Sequence, residues 1–488
     1  MLNEKDLEML NKIGMGEKEF SLLVETLRQG AEPADLVRPA IVDDGILKLS
    51  DSQAEELEKM WETEKDDFTS EKFVPASGAA TRMFKDFFAY LDNNTESSSV
   101  HKFFDYLEDF AFYPDLGIKG EPEKDEEKWA LLSFLLGKEG WNWGALPKGM
   151  LPFHREEGRS ITPFEEHLRE GALCAANGEV NIHFTVSPQH QELFSKKQEE
   201  IVPLLEEKYG VKYNLTYSFQ EEGTNTPALD GEGNLFRKDD GSLLMRPGGH
   251  GSLIRNLDKS DKDIVFLKNI DNVGCGSYRE LSARWFRIFG ALLIKARQEL
   301  CEAEENLRNN PDDETHAAAR KILTRWGGID SCGQEDTRTL LKRLNRPVRI
   351  CGMVRNDGDT GGGPFWIIDG KGNCSLQVVE SAQIDKSREG TEEKLKGITH
   401  FNPVFIACSP KNCSGEKLNL EEYVDRSAVF TVEKSLNGKP LKALEHPGLW
   451  NGSMAFWNTT FVEIPLKCFN PVKSLPDLLN KAHLPEKK

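Results

Sequence analysis

Val74-Pro75-Ala76-Ser77-Gly78-Ala79-Ala80-Thr81-Arg82 reads as the end of a strand that empties into a loop of small residues. Phe84, Phe87, Phe88 and Leu91 follow at helical spacing, so the pattern predicts strand, tight loop and helix in succession. At such a junction the unpaired first amides of the helix and its dipole favour an anion. The small side chains of Ala76, Ser77, Gly78, Ala79 and Ala80 leave room for a polyphosphate beside the main chain. Arg82, just past Thr81, supplies a guanidinium able to hold phosphate oxygens in a fork. The same stretch reads equally as a turn whose small residues only permit close packing. Neither the Gly-Lys-Ser/Thr of a Walker loop nor G-x-G-x-x-G spacing is present.

Outward from this loop the texture alternates between strands and helices, which predicts an α/β class with a mixed, mostly parallel sheet and crossover helices. Asn181 to Val186 reads as a strand, Pro188 to Lys208 as a helix opened by Ser187 and Pro188, and Tyr213 to Phe219 as the next strand. Asp230-Gly231-Glu232-Gly233-Asn234 and Asp369-Gly370-Lys371-Gly372-Asn373 read as hairpin turns; neither has the Gly and Glu positions of a calcium loop. Residues 1–70 read as an N-terminal helical segment, with Leu7, Leu10 and Ile13, then Phe20, Leu23 and Leu27, at three- and four-residue steps. Residues 71–488 form the expected core, interrupted by helical insertions at about 92–145 and 277–345.

Composition limits the classes of partner. The 488 residues include 62 basic and 81 acidic side chains, a net charge of -19, which disfavours nucleic acid or an anionic membrane as the main partner. At about 150 residues per domain the length suits roughly three units, or one large α/β core with additions. The apolar run Ile288 to Ile294 is far shorter than the roughly 20 residues of a spanning helix. The start Met1-Leu2-Asn3-Glu4-Lys5-Asp6 lacks the pattern of a secretory signal, so the expected location is the cytoplasm. Nine cysteines without C-x-x-C spacing predict neither a disulfide framework nor a zinc ribbon, and Cys408 and Cys413 read as ordinary thiols.

Further residues carry possible chemistry. Lys148 is fixed between Pro147 and Gly149, ahead of Thr162-Pro163-Phe164-Glu165, a capped helix start; alone, Lys148 reads as a solvated cation. Asp271 closes the apolar run Ile264 to Leu267, where it either caps a helix or faces the carboxyl edge of an open sheet, the edge at which ligands collect. His250 in its glycine turn, Glu380 at a strand end and Lys473 near the carboxyl end also have plain structural readings.

Taken in order, VPASGAATR, LPKGM, FTVSPQHQELF, LLMRPGGHGSLIRNL, FLKNIDNV, QVVESAQID and FNPVKS resemble the UDP-sugar pyrophosphorylases, especially the UDP-N-acetylhexosamine type. The chain is identified as a member of a bacterial family related to them. The resemblance covers most of 72–474 and implies a GT-A-like, Rossmann-type nucleotidyltransferase core. It implies that the loop from Ala76 through Thr81 holds the nucleotide, that Arg82 and Lys148 meet its phosphates, and that Gln220 touches the base. Gly248, Gly249 and His250 resemble the nucleotide-sugar contact, with His250 in place of an Asn. Asp271 matches the aspartate expected to bind Mg²⁺, Glu380 a sugar-contacting glutamate, and Lys473 a late phosphate-binding lysine.

There are departures too. Arg82 and Lys148 are separated by a long insertion, Ala79-Ala80 stand where a Gly is usual, and helices replace the sugar-binding wall after Asp271. The implied activity is joining a nucleoside triphosphate, UTP by resemblance, to a sugar 1-phosphate with release of pyrophosphate. The alternatives are a non-catalytic nucleotide or nucleotide-sugar binding protein, and a glycosyltransferase on the same core, for which Asp357-Gly358-Asp359 offers Asp-x-Asp spacing.

Overall fold

A computed structural model describes residues 2–118, 120, 122–330, 335–356, 363–370, 372–436 and 438–485. The chain divides into two compact units: one of residues 1–53, 220–264 and 292–463, the other of 54–219, 265–291 and 464–488. They are called unit one and unit two. Asp357-Gly358-Asp359 and Lys371 lie outside the described residues.

Unit two is built on strands Ser70–Pro75, Glu179–Thr185 and Lys212–Ser218, which run parallel in that order, with Ile264–Lys268 on the other side of Ser70–Pro75. The strands form where apolar side chains alternate: Val180, Ile182 and Phe184 are buried on one face. Helices Pro163–Ala172 and Gln191–Tyr209 cover that face with Phe164, Leu168, Phe194, Ile201 and Leu205. Each such fully buried side chain contributes about 1.5–3 kcal/mol. Trimming Phe184 to Ala would therefore cost about 3–5 kcal/mol once the cavity is included.

The insertion expected at about 92–145 is a helical lobe, with helices Lys85–Asn93, Ser98–Asp105 and Asp125–Leu136. Its interior is aromatic: Phe87 packs edge-on to Phe103 at 5.4 Å, and Phe112 to Trp143 at 4.7 Å. The same core takes in Val273 and Val472. The chain enters and leaves this lobe side by side, since Ala79 bridges Pro147 and the Ala80 amide donates to the Leu146 carbonyl at 3.2 Å.

In unit one, neighbouring strands run in the order Ile41–Val42, Gly45–Leu47, Asn458–Glu463, Val348–Arg355 and Phe405–Ser409. All these neighbours pair in parallel except the last, and the short strand His400–Phe401 also runs antiparallel to Val348–Arg355. Two antiparallel sheets accompany them, one joining Asp35–Pro39, Gly363–Ile368 and Cys374–Val379, the other Met245–Arg246, Thr226–Asp230, Lys439–Glu445 and Phe430–Leu436. The α/β class with mainly parallel strands is thus as read from the sequence. The helical run expected at 277–345 consists of Ser277–Asn309, Asp313–Trp326 and Thr337–Leu344.

Two readings are corrected. The N-terminal segment is helical at Glu4–Ile13, Glu17–Gln29 and Asp51–Glu64, but Asp35–Pro39, Ile41–Val42 and Gly45–Leu47 between them are strands. Asp35–Pro39 and Gly45–Leu47 find partners hundreds of positions away, at Gly363–Ile368 and Asn458–Glu463, so local periodicity carries no trace of them. Cys413 is not a thiol: it is disulfide-bonded to Cys301, 112 positions earlier, a separation that spacing motifs do not reveal. Cys408 is a buried free thiol.

Candidate functional site

The strand Ser70–Pro75 delivers the loop to the carboxyl edge of its sheet. The Ala76 amide still pairs with the Thr185 carbonyl at 2.8 Å, and the Ile270 amide donates to the Pro75 carbonyl at 3.3 Å. Beyond Ala76 the loop leaves the sheet: Ser77, Gly78 and Ala79 are exposed, and a Cβ on Gly78 would meet nothing within 4 Å. The amides of Ser77 and Gly78 donate to no group among the described residues. The loop is nevertheless pinned. Ser187 Oγ donates to the Ser77 carbonyl at 3.1 Å and the Lys148 amide to the Gly78 carbonyl at 3.3 Å.

The expected helix start is displaced. Ala80–Arg82 is a single 3₁₀ turn, and the α-helix begins only at Lys85, with Phe84 at its cap and no side-chain cap bond. The small-residue loop therefore offers its own open amides rather than those of a helix N-terminus. Thr81 and Arg82 are exposed, and Arg82 has no ion-pair partner among the described residues.

Lys148 stands in a 3₁₀ turn, Lys148–Met150, which fits against the Asp271 loop because Gly149 has no Cβ: one there would come within 3.2 Å of Ile270 and Phe194. Its ammonium donates to Asp271 Oδ2 at 2.8 Å and to the Val472 carbonyl at 2.7 Å. The side chains are 15% and 21% exposed, so the pair is largely shielded from water. Val472 in turn donates its amide to the Asp271 carbonyl at 3.2 Å, Asn272 bridges Pro471, and the Asn470 amide donates to Asn272 Oδ1 at 2.7 Å. Lys473 follows at once, exposed, with its amide bonded to Asp477 Oδ2 at 2.8 Å. Within unit two the structure thus joins the small-residue loop, Lys148, Asp271 and the segment of Lys473.

Beneath them lies a buried polar layer that the sequence reading missed. His167 Nε2 donates to the carbonyls of Asn269 and Ile270, each at 3.2 Å, which fixes the turn leading to Asp271. Burial, aided by Lys72, pushes its pKa well below the usual histidine value, so the ring is neutral. Glu170 accepts from Lys72 and Lys268, both at 2.6 Å; burial opposes its ionisation, yet the two ammonium groups hold its pKa down to about 2. His483 steadies the other end of the loop. Its Nδ1 meets His154 Nε2 at 2.8 Å and His154 Nδ1 meets Glu166 at 2.7 Å, while the flanking Ala482 carbonyl accepts from the Cys275 amide. Burial first, then the neighbouring His154, keeps the His483 pKa well below its ordinary value. The only trace in sequence was the density of charge in Glu165-Glu166-His167-Leu168-Arg169-Glu170, which looks like a solvated face.

Unit one holds a second cluster. His250 stacks on Trp450, centroids 4.2 Å apart, accepts the Leu449 amide at Nδ1 at 3.0 Å, and directs Nε2 at Glu380, 3.3 Å away. Accepting at Nδ1 fixes the neutral tautomer with its proton on Nε2. Asn451 Nδ2 also donates to Glu380 at 2.8 Å. Gly248 and Gly251 are required by packing, since a Cβ would stand 2.3 Å from His446 and 2.1 Å from the Pro447 carbonyl, while Gly249 adopts a left-handed φ of 80°. Gln220 donates to Thr224 at 3.3 Å, and the Thr224 carbonyl also abuts Gly248. Trp450 and Asn451 gave no signal in sequence.

The donor set for a divalent cation is narrow. Among the described residues no group of three or more His, Cys, Asp or Glu could hold a metal ion. A site of Asp271 alone fits a Mg²⁺ held through one carboxylate with nucleotide phosphates and water, and does not fit an all-protein cage. No helix among the described residues is long and apolar enough to cross a membrane.

Comparisons with known proteins agree with this architecture. The uridine diphosphate N-acetylglucosamine pyrophosphorylase of Trypanosoma brucei, solved with an inhibitor, is similar over 98% of this chain and 79% of that one, at 12% identity and a TM-score of 0.51. A mutant UDP-glucose pyrophosphorylase of Leishmania major in complex with UDP-glucose matches over the same shares at 11% identity and a TM-score of 0.47. The first of these likenesses shows a fold of the pyrophosphorylase type. No curated protein matches in sequence. One family model, described as a domain of unknown function (DUF4301), matches residues 3–484.

Proposed function

The chain belongs to the DUF4301 family, and from its geometry we propose that it is a magnesium-dependent nucleotidyltransferase. The acceptor is a sugar 1-phosphate and the donor a nucleoside triphosphate, UTP by resemblance to the pyrophosphorylases. An acceptor phosphate oxygen forms a bond to the α-phosphorus as the α–β bridging bond breaks, and pyrophosphate leaves with that electron pair. Such a transfer needs positioning and charge neutralisation rather than a protein nucleophile.

The observation that carries this reading is the junction in unit two, where the loop of Ala76 to Ala80 is pinned to the Lys148 turn and Lys148 is paired with Asp271. The open amides of Ser77 and Gly78 and the cations of Arg82 and Lys148 receive the triphosphate. Lys473 steadies the acceptor phosphate. Mg²⁺, when bound through Asp271, supplies charge neutralisation at the phosphate oxygens. Base and sugar contacts are proposed for Gln220, for Gly248, Gly249 and His250, and for Glu380. Cytoplasmic location is part of the same proposal.

The test is pyrophosphate exchange with UTP, Mg²⁺ and sugar 1-phosphates. Arg82→Ala and Asp271→Ala should each reduce exchange by at least about a hundredfold with the fold intact by circular dichroism. Wild-type rates in both variants would remove these residues from the mechanism. UTP binding without exchange would instead support the non-catalytic reading, to which the replacement of a usual Gly by Ala79-Ala80 also leans.

A further inference from the structure

Building on the nucleotide reading, we propose that Lys148 is the resident counter-ion of Asp271. A polyphosphate then binds by drawing the ammonium off the carboxylate, which it leaves to a divalent cation.

The geometry sets up this exchange. Lys148 carries three N–H donors; one meets Asp271 Oδ2 at 2.8 Å and one the Val472 carbonyl at 2.7 Å, so a single donor remains. With both side chains largely shielded, the pair is stronger than a surface ion pair and leaves this part of the site with no net charge. A cation arriving alone finds its carboxylate neutralised by Lys148. An anion arriving alone finds its lysine held by Asp271. Together they resolve the conflict, the anion taking Lys148 and the cation taking Asp271. Each therefore raises the affinity for the other by the same factor, as linkage requires.

The anion's place is already joined to this lysine: the Lys148 amide donates to the Gly78 carbonyl, beside the open amides of Ser77 and Gly78. The exchange also reaches the second cation. When the ammonium turns away, the Val472 carbonyl loses its donor, one residue before Lys473. Nucleotide entry is thereby reported to the segment expected to hold the acceptor phosphate.

Binding rather than turnover tests this. Inorganic tripolyphosphate, which carries no base or sugar, is titrated calorimetrically into the full chain with and without saturating Mg²⁺. The proteins are wild type, Asp271→Asn, Lys148→Gln and the double variant, with near-ultraviolet circular dichroism checking each fold. In wild type, Mg²⁺ should tighten binding at least tenfold. Asp271→Asn should tighten metal-free binding about tenfold, because Lys148 is released, and should abolish the Mg²⁺ effect. In the Lys148→Gln background the same substitution should give no gain.

An equal gain in both backgrounds would mean simple repulsion by the carboxylate and would overturn the exchange. No gain from Asp271→Asn in wild type would overturn it as well. If wild type binds neither tripolyphosphate nor UTP with or without Mg²⁺, the nucleotide reading itself falls, and the exchange with it. Binding of both with no coupling between residues 148 and 271 removes the exchange alone.

Discussion

Glu170 sits between two ammonium groups with almost no water to share the charge. Replacing it with Gln removes the carboxylate that the buried Lys72 and Lys268 share, which should cost about 3–5 kcal/mol in urea unfolding. A loss under 1 kcal/mol would show that water reaches the pair. Glu170 has a depressed pKa in the fold, so its contribution is complete above the ordinary carboxyl value of 4.5 and drains away as pH falls toward about 2. His167 and His483 titrate in a higher window. Both are held neutral in the fold, whereas the unfolded chain protonates them near 6.5. Their contribution is therefore complete above that pH and declines below it, by about 1.4 kcal/mol per pH unit for each ring. Unfolding stability should fall by about 2 kcal/mol per ring between pH 7.5 and 5, and His483→Gln should flatten the slope by one ring's share; an unchanged slope would mean that residue 483 is not held neutral.

At the level of elements, hydrophobic alternation made the parallel strands of unit two readable, because burial on one face writes itself into the sequence at every second residue. The helix Pro163–Ala172 was readable from its start: Thr162 caps it by accepting the Glu165 amide. Thr162→Ala should lower stability by about 1 kcal/mol, measurable by chemical denaturation. Its interior was not readable, since its charges are buried in pairs, Glu165 with Arg169, Glu166 with His154 and Arg279, Glu170 with Lys72 and Lys268, and the sequence of a paired buried helix resembles that of an exposed one. The 3₁₀ turn Ala80–Arg82 escaped for the opposite reason. Ala80-Thr81-Arg82 carries no periodic signal that separates it from the first turn of an α-helix. Which residues meet at Asp271 was legible only as an ordered series of motifs; the Val472 carbonyl that completes the Lys148 contact is main chain and leaves no mark in a sequence. Removing residues 480–488 takes away the Ala482 and His483 contacts to the Cys275 and His154 side of that loop. The truncated chain should lose Mg²⁺-dependent tripolyphosphate binding at least tenfold while keeping its far-ultraviolet spectrum; undiminished binding would show that the loop holds its shape unaided.

For the whole molecule, the Cys301–Cys413 bond closes a loop spanning 112 positions. Loop closure of that size stabilises by up to about 5 kcal/mol, and disulfides typically deliver about 2–4 kcal/mol, so Cys301→Ser should lower unfolding stability by at least about 2 kcal/mol. Thiol titration of the denatured protein without reductant should find two fewer thiols than with it. Equal counts would show that the pair is reduced. Ligand linkage supplies a measurement independent of turnover: UTP with Mg²⁺ at a hundred times its dissociation constant should raise stability by about 2.7 kcal/mol. A net charge of -19 makes long-range attraction of such an anion unfavourable, so the cations must act at contact distance, and affinity should change little with moderate salt.

The Ala79–Pro147 bridge has a consequence for how this architecture can vary. An excursion that departs and returns through one narrow neck is a bud on the backbone, free to lengthen, shrink or be exchanged, because extra chain there adds little closure entropy. Pruning or regrowth at that neck would leave Pro147 in register with Ala79, and so would keep Lys148 at its post whatever the bud contains.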